Sequence, residues 1–404
     1  MDYSRINKEL EEALELLKAL NPGTSGNRES DRPSGAGSRS HLLQKVLVAN
    51  RGEIAKRFFL ALHEESIPSV AVVTDPDRGQ SWYEFADEVV FIGAADHYAR
   101  IPVIIGAALF SKANAVYSGY GFLSENVDFV QAVESVSRGR SCGIIHMGPD
   151  GETMRKVGSK SAARALAREH GIPLFESSRV LTPDRTNEAA AEAGRIGYPV
   201  VIKPCSGGGG KGIAHARNEG ELAGAIASTA RACLDLYDDP SFYIERLVKK
   251  PVHIEVQIFN GRAIGIRKCA VQRRNQKIIE ESGHAFLDDH IGLSLLTSAE
   301  KIAHVSGYVG GGGAGTVEFL LDAETGGFGF MEMNARLQVE YAVTDQSLGI
   351  DIAKWQILFY DGRSSEITGL DPLKGRTAEN DHSIECRIYA EEPENDYLPS
   401  PGTI

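Results

Sequence analysis

No two cysteines in this chain are spaced as C-x-x-C. Its five cysteines, at 142, 205, 233, 269 and 386, are scattered and odd in number among 404 residues. Structural zinc and a disulfide framework therefore find no parts, and a reducing compartment, the cytoplasm, is expected. No apolar run approaches a membrane span. The N-terminus has neither an apolar signal core nor the arginine-rich, acid-poor look of an organelle transit peptide. H-E-x-x-H, G-x-S-x-G and Cys/His constellations are absent, so hydrolytic triads and zinc catalysis drop out. The turn after the first strand lacks G-x-G-x-x-G, which argues against a nicotinamide or flavin site there. A net charge of −12 argues against a nonspecific nucleic-acid binder.

What is present is ordinary globular composition, 42% hydrophobic and 24% charged, in a chain long enough for two to three cores. Ile6, Leu10, Ala13, Leu14, Leu17 and Leu20 recur at helical spacing, which predicts an acidic amphipathic helix over residues 1–20. It would dock on its own body or on a partner. A Gly/Ser/Arg/Pro-rich linker (21–43) follows, too polar to fold. From residue 44 to about 155, strands at Val46–Ala49, Ser69–Thr74, Ala115–Tyr117 and Gly143–Met147 alternate with helical segments. That rhythm predicts a parallel sheet covered by helices. The next unit, 156–361, opens with a helix at Lys160–His170 and a strand at Tyr198–Lys203. Further strands are expected at Phe242–Leu247, Val252–Phe259, Ala263–Ile266, Thr316–Leu321 and Gly329–Asn334. The Asn260-Gly261 turn signals a hairpin, so this half is mixed α+β with antiparallel pairing.

Four stretches carry chemistry. Ser206 to Gly212 contains Gly207, Gly208, Gly209 and Gly210 followed by Lys211. It reads as a plain flexible linker or as a hinged phosphate lid whose N–H groups converge on an anion. It directly follows a buried-type strand holding Lys203, a placement that suits the lid. Gln272-Arg273-Arg274-Asn275-Gln276-Lys277 is a solvated loop or an anion cage. Glu318 sits in an apolar strand and needs a partner there. Glu332, Asn334, Arg336, Gln338 and Glu340 alternate with Met333, Ala335, Leu337 and Val339. If extended, that segment offers a polar face, which is either a wet strand surface or a row of ligands. Glu318, Glu332 and Asn334 suit a shared Mg²⁺. With Lys160 and Lys203 for phosphate oxygens, the parts describe a phosphoryl-transfer site.

These stretches also resemble the biotin carboxylase component of the biotin-dependent carboxylases, an ATP-grasp ligase family. The matching segments are VLVANRGEIAKR (46–57), GYGFLSEN (119–126), YPVVIKPCSGGGGKG (198–212), HIEVQI (253–258), QRRNQK (272–277), GAGTVEFL (313–320), FMEMNARLQVE (330–340), IECRIYAEEP (384–393) and YLPSPGTI (397–404). The resemblance runs from about Lys45 to the last residue. It implies α/β and α+β architecture: a parallel-sheet pre-ATP-grasp domain (44–155), then an ATP-grasp domain (156–361) with a glycine-rich lid at about 175–247. Residues 362–404 would begin an incomplete C-terminal domain, since family members carry roughly a further quarter of the domain beyond this point.

By the resemblance, Lys160 and Lys203 hold ATP phosphates and glycines 207–210 cover them. Glu245 binds the adenine amino group, and His253 and Gln272 line the nucleotide site. Glu318, Glu332 and Asn334 carry Mg²⁺ or Mn²⁺. Lys277, Arg336, Gln338 and the Val339 backbone hold bicarbonate, Glu340 is the base, and Arg387 steadies the biotin ureido oxygen. The implied reaction is ATP-dependent carboxylation of carrier-bound biotin through carboxyphosphate. The implied partners are a biotin carrier and a carboxyltransferase, with a homo-oligomer and neither membrane nor nucleic acid. Two other readings stay open: an ATP-grasp carboxylate–amine ligase, and a catalytically weak nucleotide-binding or scaffolding relative. The chain departs from the family at Tyr117-Ser118 (His-Pro), Asn275 (His), Ile266-Arg267-Lys268-Cys269 (Glu-Arg-Asp-Cys) and Tyr341 (His).

Overall fold

A computed structural model describes residues 3–22, 41–138, 143–205, 212–274, 276–282, 287–311, 313–368, 382–400 and 402. Glycines 207–210, Lys211 and Asn275 lie outside these described residues.

The chain opens with helix α1 (Tyr3–Leu20). Next come strand β1 (Val46–Val48), α2 (Gly52–Glu64), β2 (Ser69–Thr74), β3 (Glu88–Gly93), α3 (Ile101–Phe110), β4 (Ala115–Tyr117), α4 (Val127–Arg138) and β5 (Ile145–His146). Their strands form one parallel sheet in the order β3-β2-β1-β4-β5; the alternating pattern predicted a parallel sheet, but neither β3 nor the strand order. The amphipathic helix docks on its own body. Leu10, Ala13 and Leu17 are buried, and they close on Gly106 of α3, where an added Cβ would lie 3.2 Å from Leu17 Cδ1. Just beyond the helix, the Asn21 carboxamide donates to Phe91 O and accepts from Phe91 N, both at 2.9 Å. It thus pairs with the free edge of β3, a position sheets commonly need to cover.

Helices α5 (Gly151–Gly158), α6 (Lys160–Glu169) and α7 (Thr186–Ile196) lead into β6 (Val200–Pro204), β7 (Ala214–Ala216), α8 (Glu219–Tyr237) and β8 (Phe242–Arg246). Strands β7, β6 and β8 make a small antiparallel sheet. The larger antiparallel sheet uses β9 (Pro251–Phe259), β10 (Arg262–Arg273), β11 (Gln276–Ser282), β12 (Ala314–Asp322), β13 (Phe328–Asn334) and β14 (Ile384–Cys386). Its order is β13-β12-β9-β10-β11-β14. Helix α9 (Asp289–Ser306) packs on it, and α10 (Tyr341–Leu348) and α11 (Ile352–Tyr360) return toward α2. Among the described residues, no helix is long and apolar enough to cross a membrane.

Three expectations are corrected. The strand expected at Ala263–Ile266 continues to Arg273, because Cys269 is fully buried and extends the apolar face. Of the polar cluster Gln272–Lys277, Gln272, Arg273, Gln276 and Lys277 are strand ends rather than a solvated loop. Gln272 pairs with Lys277 and Arg273 with Gln276, so these residues form the tip of the β10–β11 hairpin. Most importantly, Glu332 to Glu340 is not one extended row. The strand ends at Asn334, bends at Ala335–Arg336, and turns at Val339–Glu340 into α10. Met333 and Ala335 belong to the core beneath the large sheet, whereas Leu337 and Tyr341 belong to the core shared with α2 and α11. The apolar alternation was real, but its members face two different cores. The Asn260-Gly261 hairpin is as expected, with both residues at positive φ (46° and 80°).

Candidate functional site

Register builds the site. Across the large sheet, Glu332 lies opposite Glu318, Glu318 opposite Glu255, and Glu255 opposite Arg267. In-register residues of neighbouring strands share a face, so three carboxylates and a guanidinium form one transverse file. Like charges side by side are unfavourable unless cations intervene. Three cations do.

Arg267, fully buried, meets Glu255 through Nε (3.1 Å) and Nη2 (3.0 Å). Its remaining hydrogen bonds go to Gln257 (2.6 Å), Thr344 (2.9 Å) and Thr316 (3.2 Å). Lys277 reaches over from the hairpin tip and bonds Glu255, Glu340 (2.6 Å) and Glu318 (3.3 Å). At the sheet's end, Lys160 pairs with Glu332 at 2.9 Å. The bend that ends β13 then delivers its polar side chains to the same file. Asn334 and Gln338 each donate to Glu318 Oε1 at 2.9 Å. Arg387, following β14, donates to Glu340 at 2.8 Å and pairs with Glu280 at 2.9 Å. Gln338 Oε1 is buried and has no hydrogen-bond partner among the described residues.

The electrostatics follow from this packing. Burial opposes the charge on Lys277, but Glu255, Glu318 and Glu340 outweigh it and hold the ammonium well above the ordinary lysine value. Burial would raise Glu340, yet Lys277 and Arg267 pull it down to about 2. Glu318 is likewise held well below the usual range by Lys277 and His253 against the cost of burial. Glu255 goes the other way: burial and the neighbouring Glu340 raise it. Glu340 is therefore ionised.

A second group sits beside the first. His253 Nδ1 and Gln272 Nε2 lie 2.9 Å apart, and His253 Nε2 is 3.0 Å from Glu318. Burial disfavours the imidazolium, but Glu318 raises it. Lys203 pairs with Glu245, which is 3% exposed and also bound by Arg164 at 2.7 Å. Arg336 lies toward the parallel-sheet half, with Glu125 at 2.8 Å, and Val339 occupies the turn before α10.

The predicted residues thus form one connected cluster and two ion pairs. Lys277, Gln338, Glu340, Arg387, Glu318, Asn334, His253 and Gln272 are directly connected, with Arg336 3.4 Å from Asn334. Lys160 with Glu332, and Lys203 with Glu245, form separate ion pairs. Glu318 and Glu332 share a face, but their carboxylates face different cations. Sequence reasoning missed Glu255, Arg267, Arg164, Glu125 and Glu280. The argument applied to Glu318, a carboxylate inside an apolar run, would have found Glu255 in Val252–Ile258. Nothing in the sequence marked Arg164.

A parallel sheet leading into two antiparallel sheets, with cations and carboxylates lining their junction, is the architecture of an ATP-grasp ligase. The pattern "Carbamoyl-phosphate synthase L chain, ATP binding domain" matches residues 159–366, and "Biotin carboxylase, N-terminal domain" matches residues 42–154. Biotin carboxylase 1 of Bacillus subtilis is 38% identical over 372 residues, covering 90% of this chain and 79% of that protein. The rat mitochondrial methylcrotonoyl-CoA carboxylase subunit alpha is 39% identical, over 90% of this chain and 50% of that subunit. Among solved structures, the Campylobacter jejuni biotin carboxylase complex superposes with a TM-score of 0.79 at 36% identity, covering 89% of this chain and 78% of that one. The biotin carboxylase domain of Hydrogenobacter thermophilus 2-oxoglutarate carboxylase, a complex with MgADP, ADP and bicarbonate, gives 0.78 at 33% identity over 91% and 81%. The chain belongs to the biotin carboxylase family.

Proposed function

We propose that this chain uses ATP and bicarbonate to carboxylate biotin presented by a carrier, and that it works in the cytoplasm with a carboxyltransferase partner as a homo-oligomer. The observation that carries this reading is the Lys277 ammonium, shared among Glu255, Glu318 and Glu340, with Arg387 on the other oxygen of Glu340. In this reading residues 44–155, 156–361 and 362–404 are successive domains, with a lid at about 175–247.

Bicarbonate is an anion with one proton to give. Lys277 and Arg336 supply its charge partners, Gln338 lies beside them, and the bicarbonate hydroxyl is left to face Glu340. Val339 adds a backbone contact. Glu340, held ionised, is the base. When the incoming anion takes part of the Lys277 charge, less of it stabilises the Glu340 carboxylate, whose basicity rises at the moment it is needed. Deprotonated bicarbonate attacks the γ-phosphorus, ADP leaves, and the product is carboxyphosphate. This collapses to carbon dioxide and phosphate; the released phosphate takes the biotin ureido N–H proton, and the nitrogen then attacks the carbon dioxide beside Arg387.

Lys160 and Lys203 hold the phosphates beneath glycines 207–210. Glu245, His253 and Gln272 hold the nucleoside. Two opposed carboxylates, Glu318 and Glu332, with the Asn334 amide, are an all-oxygen donor set that fits Mg²⁺ or Mn²⁺. Such an ion, when bound, would neutralise the transferring phosphoryl group. The test is ATP cleavage measured with and without bicarbonate and free biotin. Cleavage that ignores bicarbonate, or that responds instead to an amine acceptor, overturns the reading.

A further inference from the structure

Helix α6 carries Lys160 at its first position and Arg164 one turn later, so both project from one face. Each meets a different glutamate: Lys160 meets Glu332 on β13, and Arg164 meets Glu245 on β8. Arg164 is 5% exposed and has three further contacts. It reaches Ser177 Oγ at 3.1 Å and the Phe330 carbonyl at 3.4 Å, and its guanidinium carbon lies 4.8 Å from the centre of the Tyr243 ring. These partners belong to the small sheet, the large sheet and the α6–α7 connection, where Ser177 bridges Glu245. A guanidinium tied at this many points cannot follow a departing partner.

Glu245 has one oxygen on Lys203 and the other on Arg164. The two cations are not equivalent. Lys203 is a flexible ammonium and, in the proposed function, a phosphate ligand. To reach phosphate it must release Glu245 Oε1. Arg164 stays and fixes the orientation of the freed oxygen.

We propose that Arg164 is a positioning residue that selects a 6-aminopurine nucleotide by clamping Glu245. The inference rests on the proposed placement of the adenine amino group at Glu245. A clamped carboxylate oxygen accepts a hydrogen bond from the 6-amino group of adenine and repels the 6-oxo group of guanine. Without the clamp, Glu245 swings with Lys203. Base selectivity then falls, and the persisting Lys203–Glu245 pair competes with phosphate.

The experiment titrates the full chain and its Arg164→Met and Arg164→Lys variants with ADP and with GDP by calorimetry. It also measures KM and kcat for ATP cleavage. Loss of a charge-assisted hydrogen bond is expected to weaken ADP by about 10-fold or more and GDP by much less. The ADP/GDP ratio therefore collapses, and KM for ATP rises by a larger factor than kcat falls. Lysine keeps the charge but not the fork, so Arg164→Lys is expected to restore only part of the ratio. If Arg164→Met does not fold by circular dichroism, the lysine variant decides alone. An unchanged ADP/GDP ratio in a folded variant overturns the role of Arg164 while leaving the carboxylase reading intact. A parent chain that binds no adenine nucleotide overturns both.

Discussion

Arg387 and Glu340 meet across the edge of the large sheet, with the guanidinium Nη2 2.8 Å from the carboxylate Oε2. They come from segments 47 residues apart, and the other oxygen of the same carboxylate is bonded to Lys277 at 2.6 Å. The proposed base thus stands between the cation assigned to bicarbonate and the one assigned to biotin. Substituting each side separately should split the reaction. Glu340→Gln is expected to abolish bicarbonate-dependent ATP cleavage, with ADP affinity within about 3-fold of the parent. Arg387→Met is expected to retain that cleavage and lose carboxylation of biotin. Phosphate release and carboxybiotin formation, assayed in parallel, check both; loss of ADP binding in Glu340→Gln would count against the assigned role.

Lys277 compensates three buried carboxylates, so its removal should be felt in stability as well as turnover. Stranding a buried charge costs about 3–5 kcal/mol. The sign of the pH dependence also changes. In the parent, Glu318 and Glu340 are held below their unfolded values. Their contribution is present above the unfolded carboxylate range and is lost only as pH falls toward about 2. In Lys277→Met the same groups are pushed up instead, so stability falls as pH rises through and above that range. Melting curves between pH 4 and 8 test this, and a variant whose melting temperature is flat over that range contradicts it.

Asp345, on the helix that Glu340 begins, is raised to about 7 by burial. A carboxyl raised on folding favours the folded state below its unfolded value. That advantage is lost as pH rises toward about 7. Asp345→Asn keeps the acceptor for the Ile352 N–H, which Asp345 Oδ1 takes at 3.1 Å. The variant is expected to match the parent near pH 4 and to gain about 2 kcal/mol near pH 8, a figure discounted for partial solvent access. Denaturant titrations at the two pH values measure the difference.

The docked N-terminal helix makes a separate prediction. Asn21→Ala removes both bonds to Phe91 on the edge of β3 and should cost about 1–2 kcal/mol. Deleting residues 1–40 uncovers the Gly106 surface of α3 and should lower the melting temperature further and promote self-association. Calorimetry and light scattering report these effects. Neither change touches the candidate site, so ADP affinity should stay as in the parent.

Much of this was legible before the structure. Period-two alternation placed β9, β12 and β13, and an Asn-Gly pair placed the hairpin between β9 and β10. Glu318, a carboxylate in an apolar run, signalled the site. Pattern reading failed where one signal had two causes. From Met333 to Val339 alternation suggested a single face, but Ala335 and Leu337 are buried in different cores, and the bend between them is tertiary. It also failed for Arg267 and Arg164. Each is a single arginine in an unremarkable context, and only strand register or helix phase shows what it pairs with. The lid glycines were visible in the sequence for their composition alone.

The bend from Asn334 to Tyr341 has a further consequence for persistence in time. Because this segment is anchored in two cores, its geometry lasts only as long as both remain closed. Its backbone amides should exchange with solvent at the rate set by whichever core opens more readily. Catalytic lifetime at elevated temperature would then follow the weaker half of the molecule. Strengthening the already tighter half would raise the melting temperature without extending activity.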